Sequence, residues 1–198
     1  MLDKSDYFVK IEHAKCSEQS ELSAYKLDDA EGIAERIGFN SNIISKVDYF
    51  SELEFHIQLI ELSDLREQLK QCRNKSNYAK AGFDAIDNDA GLSKKDRSKQ
   101  KKALAEEAWQ SLRDEFLKKW AGSIAVIERL YRKTGQSVDI DPQYSLLIVC
   151  RDGTDTKILD ELNTELGRRL NGQCNKVRNV QVCNTQHLEK FLLHHSVN

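Results

Sequence analysis

The chain opens and closes on short apolar runs of strand length, whereas its middle carries apolar residues at every fourth position. Tyr7 to Glu12, aromatic and β-branched, predicts a first strand, and the polar stretch 15–27 predicts a loop. Asp28, with Glu31 three residues on, predicts a capped helix to Ile37 that Gly38 stops. Ile43–Phe50 and Leu53–Leu62 predict two strands. Only Ser51-Glu52 separates them, too short for a crossover helix, so they should pair antiparallel. In the second, Leu53, Phe55, Ile57 and Leu59 share one face, and Glu54, His56 and Gln58 share the other.

Ser63 or Asp64 should cap a helix that runs through Leu65, Leu69 and Cys72 to Ala81, and Gly82–Gly91 breaks it. Ser93 opens a second helix, with Asp96 at the position that completes a cap. Leu104, Ala108, Leu112, Phe116, Trp120 and Ile124 then form an apolar stripe, with Ala121-Gly122-Ser123 a place for a kink or division. Unbroken to Lys133, this helix would be about 60 Å long.

Asp141-Pro142 closes a loop, and Tyr144–Cys150 is apolar on both faces, as expected of a central strand covered on both sides. A turn at Arg151–Thr154 leads to a helix over 155–171, ended by Gly172, with Ile158, Leu159, Leu162, Leu166 and Leu170 inward. Val177–Cys183 is a further strand, and Asn184 or Thr185 caps a last helix through Leu188, Phe191 and Leu192. Strand, helix, strand with loops this short is a βαβ unit, so these two strands should be parallel. The expectation is an α/β fold, α+β in its N-terminal half. It has a mixed sheet of about five strands, a C-terminal βαβα unit and an inserted long helical hairpin or arm. Residues 1–62 and 134–198 would form the sheet domain and 63–133 the arm.

Charge sharpens this division. Residues 1–61 carry 6 Lys/Arg against 13 Asp/Glu, 62–133 carry 17 against 11, and 134–198 carry 7 against 8. The cations concentrate at Lys94, Lys95, Arg97, Lys99, Lys101 and Lys102, a run suited to nucleic-acid phosphates or to an acidic protein surface. No aromatic residue interleaves with them, and the pI near 6.2 is low for a dedicated nucleic-acid binder. The 5 cysteines show no CxxC spacing, which argues against a disulfide framework or zinc knuckle, and Cys150 and Cys183 read as buried hydrophobes. No apolar run approaches the roughly 18 residues of a membrane span, and the acidic N-terminus lacks a signal core, so a cytoplasmic location is expected.

Two places could carry chemistry. The first is the polar strand face of Glu54, His56 and Gln58, with Asp48 and Glu61 nearby. Carboxylates on neighbouring strands hold divalent ions, so Asp48, Glu54 and Glu61 are the candidates for a magnesium- or manganese-dependent nuclease. The order of elements is similar to that of the restriction-endonuclease-like fold. That family's lysine two residues after its second acid is absent, since Glu54 is followed by Phe55-His56 and Glu61 by Leu62-Ser63. The plain reading of this face is the solvent side of an edge or hairpin strand. The second place is Asp152–Asp155, at the carboxyl end of a buried strand where small ligands bind in open α/β sheets. Acids in a first helical turn are already explained by the helix dipole.

His194 and His195 should sit at the end of the last helix, and no HxH or HExxH spacing occurs. With no catalytic signature, the leading expectation is a cofactor-free accessory or adaptor subunit. It would bind a protein partner or a second copy through Trp109, Leu112, Phe116 and Trp120 on the arm.

Overall fold

The computed structural model describes residues 2–13, 18–39, 43–135, 141–171 and 177–193, with Val177 and Arg178 as backbone only. Expectations for Cys16, Gly172, Cys174, His194 and His195 lie outside the described residues. The fold is mixed α/β around a 6-stranded sheet of order β1-β2-β3-β4-β5-β6. The strands are β1 (Phe8–Glu12), β2 (Gln19–Lys26), β3 (Tyr49–Leu53), β4 (His56–Leu62), β5 (Gln143–Cys150) and β6 (Val177–Asn184). The first four pair antiparallel in series, whereas β4, β5 and β6 are parallel neighbours. The βαβ expectation for the C-terminal third is met, through helix α5 (Thr156–Leu170).

Several local expectations are corrected. The stretch read as a loop contains β2, whose inward residues are only Leu22 and Ala24. Its other face is held by rings, with Tyr25 at 5.1 Å from both Phe8 and Phe50. The β3–β4 turn is Glu54-Phe55, not Ser51-Glu52, because Leu53 pairs with His56. Glu54 takes φ 52° to close this turn, and Ile43–Asp48 precedes the strand. The helix expected from Asp28 shrinks to α1 (Ile33–Arg36), capped by Gly32 without a side-chain bond. Asp28 is drawn elsewhere: the N–H groups of Leu27 and Asp28 both bond the carbonyl of Asp48, at 2.8 and 3.2 Å. Helix α2 (Arg66–Ala81) starts after Leu65, so neither Ser63 nor Asp64 is its cap. A short helix α3 (Phe83–Asn88) occupies the expected break.

Helix α4 (Lys94–Thr134) runs unbroken for 41 residues. Ser93 caps it as expected, its Oγ accepting from the N–H of Asp96 at 3.2 Å. Gly122 does not divide the helix; it lets the loop before β3 approach. A Cβ there would lie 2.0 Å from the carbonyl oxygen of Ser45. Ser123 completes the contact, accepting from Val47 N–H at 2.9 Å and donating to the Lys119 carbonyl at 2.7 Å.

The chain divides into two compact units, Met1–Asp64 with Phe116–Asn198, and Leu65–Glu115. The first unit holds the sheet, α1, α5 and the carboxyl half of α4. The second holds α2, α3 and the amino half of α4. The segment 63–133 expected as one arm is thus shared between them.

One sheet face buries Ile11, Ala24, Tyr49, Ile60, Leu147, Val149 and Cys183 beneath Leu188 and Leu192. These last two belong to a 3-10 helix over Thr185–Lys190 and the residues after it, where Asn184 caps as expected by accepting from His187 N–H. The alternate residues, including Phe50, Leu59, Leu146 and Ile148, are equally buried on the opposite face. The reading of β5 as a covered central strand therefore holds, and Cys150 and Cys183 are buried thiols.

Candidate active site

Strand β4 lies between β3 and β5 and is buried on both faces, so its polar residues are interior groups and not the solvent side of an edge. Each is accounted for separately. His56 Nε2 meets Ser145 Oγ at 2.9 Å, and burial lowers the imidazole pKa. Gln58, 3% exposed, donates through Nε2 to the Phe191 carbonyl at 2.8 Å and accepts from Leu193 N–H at 3.0 Å. It clasps the chain end onto the sheet.

Glu61 faces the other way, with α4. Its carboxylate is 3% exposed and forms an ion pair with the Lys119 ammonium. Asp48 sits just before β3, one step beyond the Tyr49–Ile60 pair, and therefore opposite Glu61 on the same face. Its Oδ2 accepts from Leu62 N–H at 2.7 Å. Burial raises the Asp48 pKa, an effect opposed by the Leu62 hydrogen bond and the nearby Lys119 charge and reinforced by Asp28 and Asp29. Two acids and one lysine thus converge where β2 and β4 end and β3 begins. Around them Lys46, its side chain only 1% exposed, pairs with Asp28 at 2.7 Å, and Lys26 pairs with Asp29 at 3.2 Å.

Of the three expected acids, the fold brings together Asp48 and Glu61. Glu54 is in the exposed turn at the opposite end of β4, about 23 Å away along a strand of seven residues' rise. Lys119 was not singled out from sequence. It lies 58 residues from Glu61, and only the buried Phe116 three residues before it and Gly122 three after mark its helix face as inward. Among the described residues no group of three or more His, Cys, Asp and Glu side chains could hold a metal ion by itself.

The Arg151–Asp155 turn lies at the same carboxyl edge of the sheet, and its polar groups are engaged in holding it. Arg151 pairs with Asp64 at 3.8 Å, and Asp152 N–H donates to Glu18 at 3.0 Å. Asp152 Oδ1 accepts from Gln186 N–H at 2.7 Å, and Asp155 caps α5 by accepting from Lys157 N–H. Trp109, Leu112, Phe116 and Trp120, expected as docking residues, are each 5% exposed or less. Of the basic run, Lys101 pairs with Asp87 and Arg97 donates to the Asp89 carbonyl at 2.8 Å.

No family model matches this chain, and neither does any curated protein or solved structure. No helix among the described residues is long and apolar enough to cross a membrane.

Proposed function

We propose that this chain cleaves phosphodiester bonds in nucleic acid with a divalent ion held by Asp48 and Glu61, with Lys119 as the third member of the site. The observation that carries this reading is that Asp48, just before β3, lies opposite Glu61 at the carboxyl edge of β4, with Lys119 paired to Glu61 and its charge near Asp48. The lysine that the restriction-endonuclease-like pattern puts two residues after its second acid is Ser63 here. Lys119 supplies an ammonium to Glu61 from α4 instead.

The donor set fits a hard cation. Magnesium is commonly held by one or two carboxylates, with the remaining positions filled by water and substrate phosphate, so two acids suffice. Such an ion would polarise a phosphoryl oxygen and acidify its bound water. The chain's own residues do the rest. The Leu62 N–H fixes one Asp48 oxygen, and the other would be the ligand. Lys119 favours ionised carboxylates and adds positive charge where charge would develop on the phosphoryl group. Burial gives these charges a lower dielectric than bulk water.

The accessory-subunit reading drew on a long amphipathic helix without a catalytic signature, and its docking residues Trp109, Leu112, Phe116 and Trp120 are buried in the single chain. The ligand reading of Asp152–Asp155 rested on polar groups that are occupied in holding the turn.

The test is cleavage of end-labelled DNA and RNA strands with magnesium or manganese. Wild type and Glu54→Ala should cleave, and Asp48→Asn should lose at least about a hundredfold in rate. Equal cleavage by Asp48→Asn, or none by any form, would reject the assignment.

A further inference from the structure

The basic run is not one patch, because the fold divides it between two faces of α4. Arg97 and Lys101 share a face with Leu104 and Ala108 by their spacing. They are spent on that side: Arg97 on the Asp89 carbonyl, Lys101 on Asp87 and over the Phe83 ring at 5.5 Å. Lys95, Lys99 and Lys102 follow one another at i, i+4 and i+7, and so form a second face, on which all three are exposed. Among the described residues none of these three is in an ion pair. They lie in the unit Leu65–Glu115, whose first 41 residues carry 11 Lys/Arg and 5 Asp/Glu.

We infer that Lys95, Lys99 and Lys102 form a strip that grips the phosphate backbone of nucleic acid, independently of base sequence. The chemistry of the strip favours this partner over an acidic protein. Protein interfaces are depleted in lysine and centre on aromatic or other apolar anchors. Along this face the neighbours three and four residues away are Ser98, Ala103 and Ala105, with Asp96 and Glu106 at its edges, and none is an aromatic or large apolar anchor. Phosphates need no such anchor: flexible ammonium groups neutralise them and release counterions. Cations successive turns apart, about 6 and 4.5 Å along the axis, present a line of charge to a line of charge. This inference rests on the proposed phosphodiesterase reading for its biological purpose, but its test does not.

Binding is measured by fluorescence anisotropy with labelled single-stranded and duplex 20-mers in EDTA, over a salt series. Wild type should bind both probes. Lys95→Gln/Lys99→Gln/Lys102→Gln should bind about tenfold or more weakly, with the log–log salt slope reduced by about two to three. A Lys10→Gln control, on the exposed face of β1, should be unchanged. Circular dichroism establishes that the triple variant is folded. Unchanged affinity and slope in the triple variant would overturn the inference, as would no binding by wild type. Equally tight binding of wild type to polyglutamate would replace nucleic acid by an acidic protein as the partner and also overturn it. The two proposals fail separately. Lysine-dependent binding without cleavage would leave the strip standing and remove the nuclease, whereas Asp48-dependent cleavage with lysine-independent binding would do the reverse.

Discussion

The Asp48 carboxylate accepts a hydrogen bond from Leu62 N–H at 2.7 Å, so a residue outside β3 caps the last backbone donor of β4. This bond orients one acid of the proposed site, and burial ties its ionisation to folding. Burial raises its folded pKa above the usual 3.8. From about that pH upward to the raised value, the folded chain therefore keeps a proton that the unfolded chain has lost. Stability contributed by Asp48 is present at low pH and is lost as pH rises through this window. Asp48→Asn keeps an acceptor for Leu62 without the titration. Urea midpoints from pH 4 to pH 8 should show the variant gaining on wild type as pH rises; parallel profiles would contradict the assigned cause.

Lys119→Met should destabilise the sheet unit by about 2–3 kcal/mol, since it leaves Glu61 buried without its cation. The figure lies below that for a fully buried pair because the Lys119 side chain retains 23% exposure. Glu61→Gln/Lys119→Met should recover much of the loss in a double-mutant cycle by urea denaturation. Additive losses would show that the pair is not coupled.

Gly122→Ala separates helix propensity from close packing. In an exposed helix the change gains about 1 kcal/mol. Here the new Cβ would meet Ser45 backbone at 2.0 Å, which something must move to relieve. A net loss of about 2 kcal/mol or more is expected in thermal or urea unfolding, and a gain would refute the contact.

Gln58→Ala removes both hydrogen bonds that clasp Phe191 and Leu193. A loss of about 2 kcal/mol is expected from the two buried backbone groups released. Amide exchange at Leu193 should accelerate more than exchange in β5. Uniform acceleration would instead mean a global effect.

What the sequence disclosed follows from how strongly each element declares itself. The β5–α5–β6 unit was legible because Tyr144–Cys150 is apolar on both faces and α5 places leucines at helical spacing. Strand β2 was hidden because its inward positions hold only Leu22 and Ala24, a weak alternation among polar residues. The β3–β4 register was misplaced because the turn uses Glu54 at positive φ and has no Gly or Asn to announce it. That slip put Glu54 into the site on paper, whereas the fold puts it in the turn. Asp48 and Glu61 could be named as candidate acids from the sequence, but Lys119 could not, since a lysine on a helix meets Glu61 only through tertiary packing. The basic run was visible as composition, and only the contacts of Arg97 and Lys101 divide it.

The proposal that Asp48 and Glu61 hold a divalent ion for work on nucleic acid is open to direct measurement. Its most direct test is a manganese titration followed by electron paramagnetic resonance, with a saturating uncleavable phosphorothioate duplex present. Wild type should bind manganese in a way that is lost in Asp48→Asn and kept in Glu54→Ala. Equal binding by wild type and Asp48→Asn would contradict the account.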